Sequence, residues 1–285
     1  MKSIVLLLMA FIAQSLYSQQ VDVILIGGQS NATGQGSMKN IPRSFQIDTT
    51  VKIYYSRYLN EGANSERWIP LCQASDAIEK FGVELSLGTT LQRDFPENKI
   101  ALIKHATSTT NLYKQWSPGN RPGETQGEEY RKFIQTVKGG LDKLRSEGYT
   151  PIVRAMVWQQ GEADARDIAG EQISEDYGKN LGNLIRQIRT ELNCDKMLFI
   201  YGEVLPLTNP AHTGREIVQH QQYLVSEEAA SERSVYNAFF IRTEDLQMRR
   251  DDYRTPDPND RLHFGTFGIL TLGERFAEKI RAHWE

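Results

Sequence analysis

The stretch VDVILIGGQSNATGQG, residues 21–36, decides how the rest of the chain is read. An apolar run rich in branched side chains ends in Gly27 and Gly28 and passes to Gln29, Ser30 and Asn31. Unbroken apolarity of this kind fits a strand covered on both faces, as in a parallel sheet. The two glycines let the backbone turn sharply at the strand end and leave the Ser30 hydroxyl open to a reacting carbonyl. A serine there can equally cap a following helix through its side-chain oxygen. Phosphate-binding loops are excluded, because neither a Walker lysine nor G-x-G-x-x-G is present. The stretch also fails G-x-S-x-G, since Ala32 stands where the second glycine belongs.

Five further runs have the same character: VKIYY (51–55), KIALIKHA (99–106), PIVRAMVW (151–158), KMLFIYGEV (196–204) and VYNAFFI (235–241). Between them, residues 126–147 carry an apolar stripe at three- and four-residue spacings from Tyr130 to Leu144, and Gly148 ends it. Residues 172–192 and 266–284 repeat the scheme, and Gly82 in FGVELS stands where another helix begins. Alternating strands and helices predict an α/β fold, a three-layer α/β/α sandwich with a mainly parallel sheet. The irregular stretches 31–50, 56–80, 107–125 and 242–262 then supply the loops, and in such sheets ligands sit beyond the carboxyl ends of the strands. No internal repeat or second-domain boundary interrupts the pattern.

The 285 residues are 39% hydrophobic and 24% charged, with a formal charge of −3, so they can bury one sizeable core. Acidic and basic residues are well mixed, which argues against nucleic acid as a partner. Lys2 followed by IVLLLMAFIA and a polar exit reads as a secretory signal peptide over residues 1–18, leaving 19–285 as one domain. The protein is therefore expected to be exported, to the periplasm or the medium, with no stable membrane insertion once the signal is removed. Cys72 and Cys194 can pair in an oxidising compartment or stand as packed thiols. Nothing in the sequence speaks to oligomeric state.

A serine hydroxyl needs a base, and the chain offers five histidines. His263, in NDRLHFG, follows Asp260 by three residues, a spacing that can bring a carboxylate to Nδ1 and leave Nε2 for a serine. His105, at a strand end, is the alternative base, while His212 and His220 read as surface residues and His283 as a terminal one. The amide of Gly82 can point at a developing oxyanion. VWQQGEADA (157–165) ends a strand with Gln160, Glu162 and Asp164, where a neutral amide can donate to negative charge and a carboxylate can orient a histidine. No metal-ligand spacing is present.

Taken together, GGQSN, GVELSLG, ALIKHATSTTNLYKQW, WQQGEAD and DRLHFGTFG resemble the SGNH hydrolase superfamily, specifically its sialate O-acetylesterase-like and family 6 carbohydrate (acetylxylan) esterase branch. The resemblance implies Ser30 as nucleophile, His263 as base and Asp260 as its partner, with Glu162 the alternative acid. It further implies an oxyanion hole from the Ser30 and Gly82 amides and the Gln160 side chain. Ser108 and Thr109 depart from the usual Gly-Gly of the third block, Val83 replaces a common Pro, and Phe264 stands where Pro is frequent. The implied activity is serine-based removal of O-acetyl groups from an acetylated carbohydrate, acetylated xylan or O-acetylated sialic acid, with no cofactor and no metal. Gln29, Asn31, Thr110 and Trp116 are expected to contact substrate, and Trp68, Trp116, Tyr113 and Arg121 suit a polar sugar, although Trp68 and Trp116 can equally be half-buried anchors of their loops. The alternatives are a lipid or thioester acylhydrolase and an inactive carbohydrate-binding homologue.

Overall fold

The computed structural model describes residues 19–119 and 124–284. The expected signal segment and Arg121 lie outside these residues. Among the described residues, nine strands form in chain order: β1 (Gln19–Gly28), β2 (Gly36–Ser37), β3 (Lys52–Tyr55), β4 (Ile69–Pro70), β5 (Lys80–Phe81), β6 (Ile100–Lys104), β7 (Tyr149–Gln159), β8 (Leu198–Gly202) and β9 (Ala238–Ile241). Seven of them make one sheet in the order β4-β3-β6-β1-β7-β8-β9, parallel except where β4 pairs with β3. All six apolar runs are strands of this sheet, and the buried β6 and β8 show why they read as continuous apolar segments. The short β4 adds a strand that patterning does not reveal, and its Pro70, unable to donate to a ladder, sits on the edge.

The helices are α1 (Ser30–Thr33), α2 (Glu84–Asp94), α3 (Glu128–Ser146), α4 (Glu171–Glu175), α5 (Tyr177–Leu192), α6 (Arg215–Val225) and α7 (Thr266–Ala282). Side chains of α3, α5 and α6, among them Phe133, Ile185 and Val218, pack on one face of the sheet. Those of α2 and α7, including Leu87, Leu91, Ile269 and Phe276, cover the other. β1 serves both layers by its two-residue alternation, sending Val21, Val23 and Leu25 to the first and Ile24 and Ile26 to the second. Its charged residue, Asp22, is buried and takes an Arg154 Nε contact at 2.7 Å and an Asn98 amide bond at 2.7 Å.

The single helix expected over 172–192 is two, α4 and α5, meeting at Asp176. Ser174 Oγ donates to the Asp164 carbonyl, which draws α4 onto the turn after β7. The two cysteines are free and pack in the clusters on opposite faces of the sheet. No helix among the described residues is long and apolar enough to cross a membrane.

Two glycines bring the ends of the chain together. Gly28 adopts φ 135°, and a Cβ there would meet the Gln159 carbonyl oxygen at 2.1 Å and Ala32 Cβ at 2.8 Å, so only glycine permits the turn that presents Ser30. In α7, a Cβ on Gly273 would lie 2.1 Å from Ser86 Oγ and 2.7 Å from the Val83 carbonyl oxygen. That close approach seats α7 on α2 and fixes the loop carrying His263 beside β1.

Candidate active site

β1 has β6 on one side and β7 on the other, so successive connections leave it toward opposite edges of the sheet. Open α/β sheets form their ligand crevice at such a switch point. Ser30 opens α1 directly beyond the carboxyl end of β1, and its Oγ lies 3.0 Å from His263 Nε2. His263 Nδ1 is 2.8 Å from Asp260 Oδ2, while Asp260 Oδ1 accepts the Leu262 and His263 backbone N–H groups at 2.9 and 3.0 Å. A carboxylate can only accept, so it selects the Nδ1–H tautomer and leaves Nε2 to accept the Ser30 proton. Burial opposes charge on Asp260, but the His263 hydrogen bond and charge and the two N–H groups outweigh it and hold its carboxyl below the usual value.

Glu162 has no bond to His263. Its Oε1 accepts from Asn31 Nδ2 at 2.7 Å, its Oε2 is buried with no partner among the described residues, and burial pushes its carboxyl pKa up. Asn31 also donates to the Leu262 carbonyl at 3.0 Å and accepts the Phe264 N–H at 3.1 Å. It thereby holds the backbone on both sides of His263 against the residue next to Ser30. The side chain expected to touch substrate is fully buried, and its four-atom amide is used up in this strut.

Two more expected substrate contacts are placed elsewhere. Trp116 is 0% exposed, gives its Nε1–H to Thr110 Oγ1 at 2.9 Å and packs edge-on against Trp158. Thr110 spends its own proton on the Thr107 carbonyl. An aromatic residue in a loop suits a sugar only if its face reaches solvent, and here the apolar body goes to the core. Trp68 is likewise anchored, donating to the Gly140 carbonyl at 3.0 Å.

The two residues expected as the other oxyanion donors, Gly82 and Gln160, are also committed. The Gly82 N–H donates to Glu84 Oε1 at 2.9 Å, and that carboxylate is ion-paired with the fully buried Lys104. Gln160 is fully buried, its Nε2 donating to Asp164 Oδ2 at 2.6 Å, to the Thr110 carbonyl at 3.1 Å and to Gln29 Oε1 at 3.2 Å. Asp164 in turn accepts the Leu112 and Tyr113 N–H groups and clamps the third-block loop; burial pushes its carboxyl up to about 6.

Ser30 and His263 open into a cleft of about 360 Å³ whose walls include Gln29, Thr109, Glu162, Arg166, Asn209 and His212. Sequence reasoning missed Thr109, Arg166 and Asn209 and placed His212 on the surface, whereas His212 is 6% exposed. The available signal was position, because NPAHTG follows β8 and so belongs to the same carboxyl edge. Thr109 adopts φ 65°, a left-handed conformation that is costly for a β-branched residue. A larger hollow of about 1020 Å³, lined by Pro151, Leu198 and Trp284 among others, lies at the opposite, amino-terminal ends of β7 and β8.

His105, the alternative base, is sealed in the core. Its Nε2 meets Glu129 Oε2 at 3.0 Å and its Nδ1 meets Ser56 Oγ at 2.9 Å. Burial lowers the His105 pKa against the pull of Glu129; Glu129, though buried, is lowered to about 2 by His105, Thr107 and Lys132. Both groups have depressed folded-state values, so each favours folding above its unfolded pKa and loses that advantage as pH falls. Glu129 should cost on the order of 2 kcal/mol of stability between pH ~4.5 and ~2. Urea midpoints across that range should fall less steeply in Glu129→Gln than in the parent, and equal slopes would remove the argument.

A hydroxyl, an imidazole and a carboxylate in hydrogen-bonded series at the switch point of an α/β/α sandwich can activate the hydroxyl for attack on a carbonyl, and the class of the protein is a carboxylic ester hydrolase. Residues 20–282 match the family described as carbohydrate esterase, sialic acid-specific acetylesterase, and the chain belongs to it. No curated protein sequence matches the chain. Among solved structures, a protein of Arabidopsis thaliana is similar at 17% identity and TM-score 0.67, covering 93% of this chain and 99% of its own. NanS is similar at 14% identity and TM-score 0.68, with 94% and 99% covered. A catalytic mutant of Axe2, an acetylxylan esterase from Geobacillus stearothermophilus, follows at 13% identity and TM-score 0.50, with 92% and 95% covered. These likenesses support the fold.

Proposed function

We propose that the protein removes O-acetyl groups from a carbohydrate through an acyl-enzyme on Ser30. The carrying observation is the Ser30–His263–Asp260 series, with contacts of 3.0 and 2.8 Å. Ser30 Oγ attacks the ester carbonyl carbon and gives its proton to His263 Nε2. The C–O bond to the sugar breaks, and the sugar oxygen takes that proton. Water then adds to the acyl group, passes a proton through Nε2 back to Ser30 and releases acetate. Acetate release from a panel of acetylated glycans tests this reading, and activity confined to long-chain lipid esters would refute it.

One observation favours an acidic sugar over neutral xylan. The exposed Arg166 lines the cleft and forms no ion pair among the described residues. Beside it, the buried His212 has an unpartnered Nδ1, and burial followed by the Arg166 charge lowers its pKa. An unpaired guanidinium matches a carboxylate, and a charge-assisted bond of about 1.5–3 kcal/mol is the scale of such recognition. Solvent screening reduces this at an exposed position. Arg166→Ala should shift the ratio of kcat/KM for O-acetylated sialic acid over acetylated xylooligosaccharide by about tenfold toward the neutral sugar. An unchanged ratio would leave the choice of sugar to other residues.

A further inference from the structure

We propose that the Thr109 side chain walls the acyl side of the cleft and restricts turnover to acetyl and acyl groups of similar size. The inference rests on the acyl-transfer reading and assigns a specificity role to a residue that the chemical steps do not use. Its starting point is backbone strain. Thr109 holds φ 65°, lines the cleft with Ser30 and His263, and is exposed. Glycine takes such a conformation freely, whereas a β-branched side chain resists it. Strain of this kind survives where neighbouring contacts dictate the backbone, and it gathers at functional sites.

The neighbours of Thr109 are tied on both sides. The Thr107 N–H donates to the Gly28 carbonyl at 3.2 Å, while Ser108 Oγ lies 3.1 Å from Thr33 Oγ1 and donates to Asp76 Oδ2 at 3.0 Å. Beyond it, the Thr110 carbonyl accepts from Gln160 Nε2 at 3.1 Å, and Thr110 Oγ1 accepts the Trp116 Nε1–H. The Thr109 hydroxyl has no partner among the described residues. All of these anchors would survive glycine at position 109. The side chain therefore adds strain with no hydrogen bond to offset it, and what it brings is bulk in the cleft.

The strand order says which part of the ester meets that bulk. Thr109 follows β6, Ser30 follows β1, and Arg166, Asn209 and His212 follow β7 and β8, in the sheet order β6-β1-β7-β8. Thr109 and the other three thus flank Ser30 from opposite sides. The sugar oxygen must take its proton from His263 Nε2. The loop carrying His263 comes in from the β8 side, where Arg261 Nη1 donates to the Thr208 carbonyl at 3.3 Å. The sugar then lies toward β7 and β8, and the acyl chain extends toward β6 and Thr109.

The ratio of kcat/KM for p-nitrophenyl acetate over p-nitrophenyl butyrate tests this, because the two esters share a leaving group and differ only in acyl length. One methylene is worth about 10–200-fold to a fitted apolar pocket, so the parent should favour acetate by at least about tenfold. Thr109→Gly should lower that preference by about tenfold or more. Thr109→Ala should lower it too, which covers the case of a glycine variant that fails to fold. Thr109→Val keeps the bulk and loses the hydroxyl, and should hold the parental ratio. Because a ratio is read, any loss common to both esters cancels. The wall assignment is overturned, and the acyl-enzyme reading stands, if the parent cleaves butyrate as readily as acetate. The same holds if Thr109→Gly and Thr109→Ala keep the parental ratio within about threefold, or if Thr109→Val loses it as glycine does. A parent that hydrolyses neither ester and takes no fluorophosphonate label overturns both.

Discussion

Ser30→Ala should yield a folded protein whose acetyl-ester hydrolysis is reduced by on the order of 10⁵–10⁶-fold in kcat. The size follows from what the hydroxyl does: it is the only atom of the site that would form the bond to the acyl carbon, and His263 without it has nothing to deprotonate but water. The fold should hardly notice the change. Among the described residues, the hydroxyl makes one contact, to His263 Nε2 at 3.0 Å, and the turn is set by Gly28 and the backbone bonds from Ala32 and Thr33 to the Gln29 carbonyl. A hydroxyl with one partner contributes about 0.5–1.5 kcal/mol, so the urea midpoint should stay near that of the parent. Fluorophosphonate labelling should vanish together with turnover. A Ser30→Ala protein that cleaves p-nitrophenyl acetate at the parental rate would end the acyl-enzyme reading and leave the inactive carbohydrate-binding homologue or another nucleophile in its place.

The strands were legible because a parallel sheet buries both faces of each strand and writes that burial as unbroken apolar runs. The helices α3 and α7 were legible for the complementary reason, a stripe with the period of the helix. α6 was less so, since Val218 and Val225 share its buried side with Gln221 and Gln222, polar residues that bond across to Gln160 just beyond β7, to β8 and to Arg233. What the sequence could place was the edge of the sheet each motif would reach. It could not say which partner a donor had already taken once there. Gly82 and Gln160 arrive as expected near the carboxyl ends of the strands, yet Glu84, only two residues beyond Gly82, captures its N–H, and Asp164 captures the Gln160 amide. Asn31, Thr110 and Trp116 err in the same direction: each was read as facing substrate and each is spent holding a loop. Residue type and register are local properties, whereas the occupancy of a hydrogen-bonding group is decided by tertiary packing.

Asp260→Asn should lower kcat by about 10⁴-fold with little loss of stability, whereas Glu162→Gln should lower it less than about tenfold. Asparagine can keep the Oδ1 bonds to the Leu262 and His263 N–H groups, so the turn survives. Its NH₂ would then face His263 Nδ1–H, donor against donor. The imidazole escapes by moving its proton to Nε2, the nitrogen that must accept from Ser30, and the base is lost although every heavy atom stays in place. Glu162 enters differently. Its one side-chain bond among the described residues is to Asn31 at 2.7 Å, and a glutamine carbonyl can accept that bond equally well. The pH behaviour separates the two acids as well. Asp260 is held below its ordinary value of 3.8, so its tie to His263 is fully present above that pH and is lost only as pH falls through the lowered value. Glu162 has its pKa raised by burial and takes up a proton at higher pH than an exposed glutamate would. If Glu162 were the acid orienting His263, Glu162→Gln would show the larger loss of kcat and Asp260→Asn the smaller. That order of effects would move the role from the tail of the chain to the turn after β7, and the 2.8 Å contact between Asp260 and His263 predicts the opposite order.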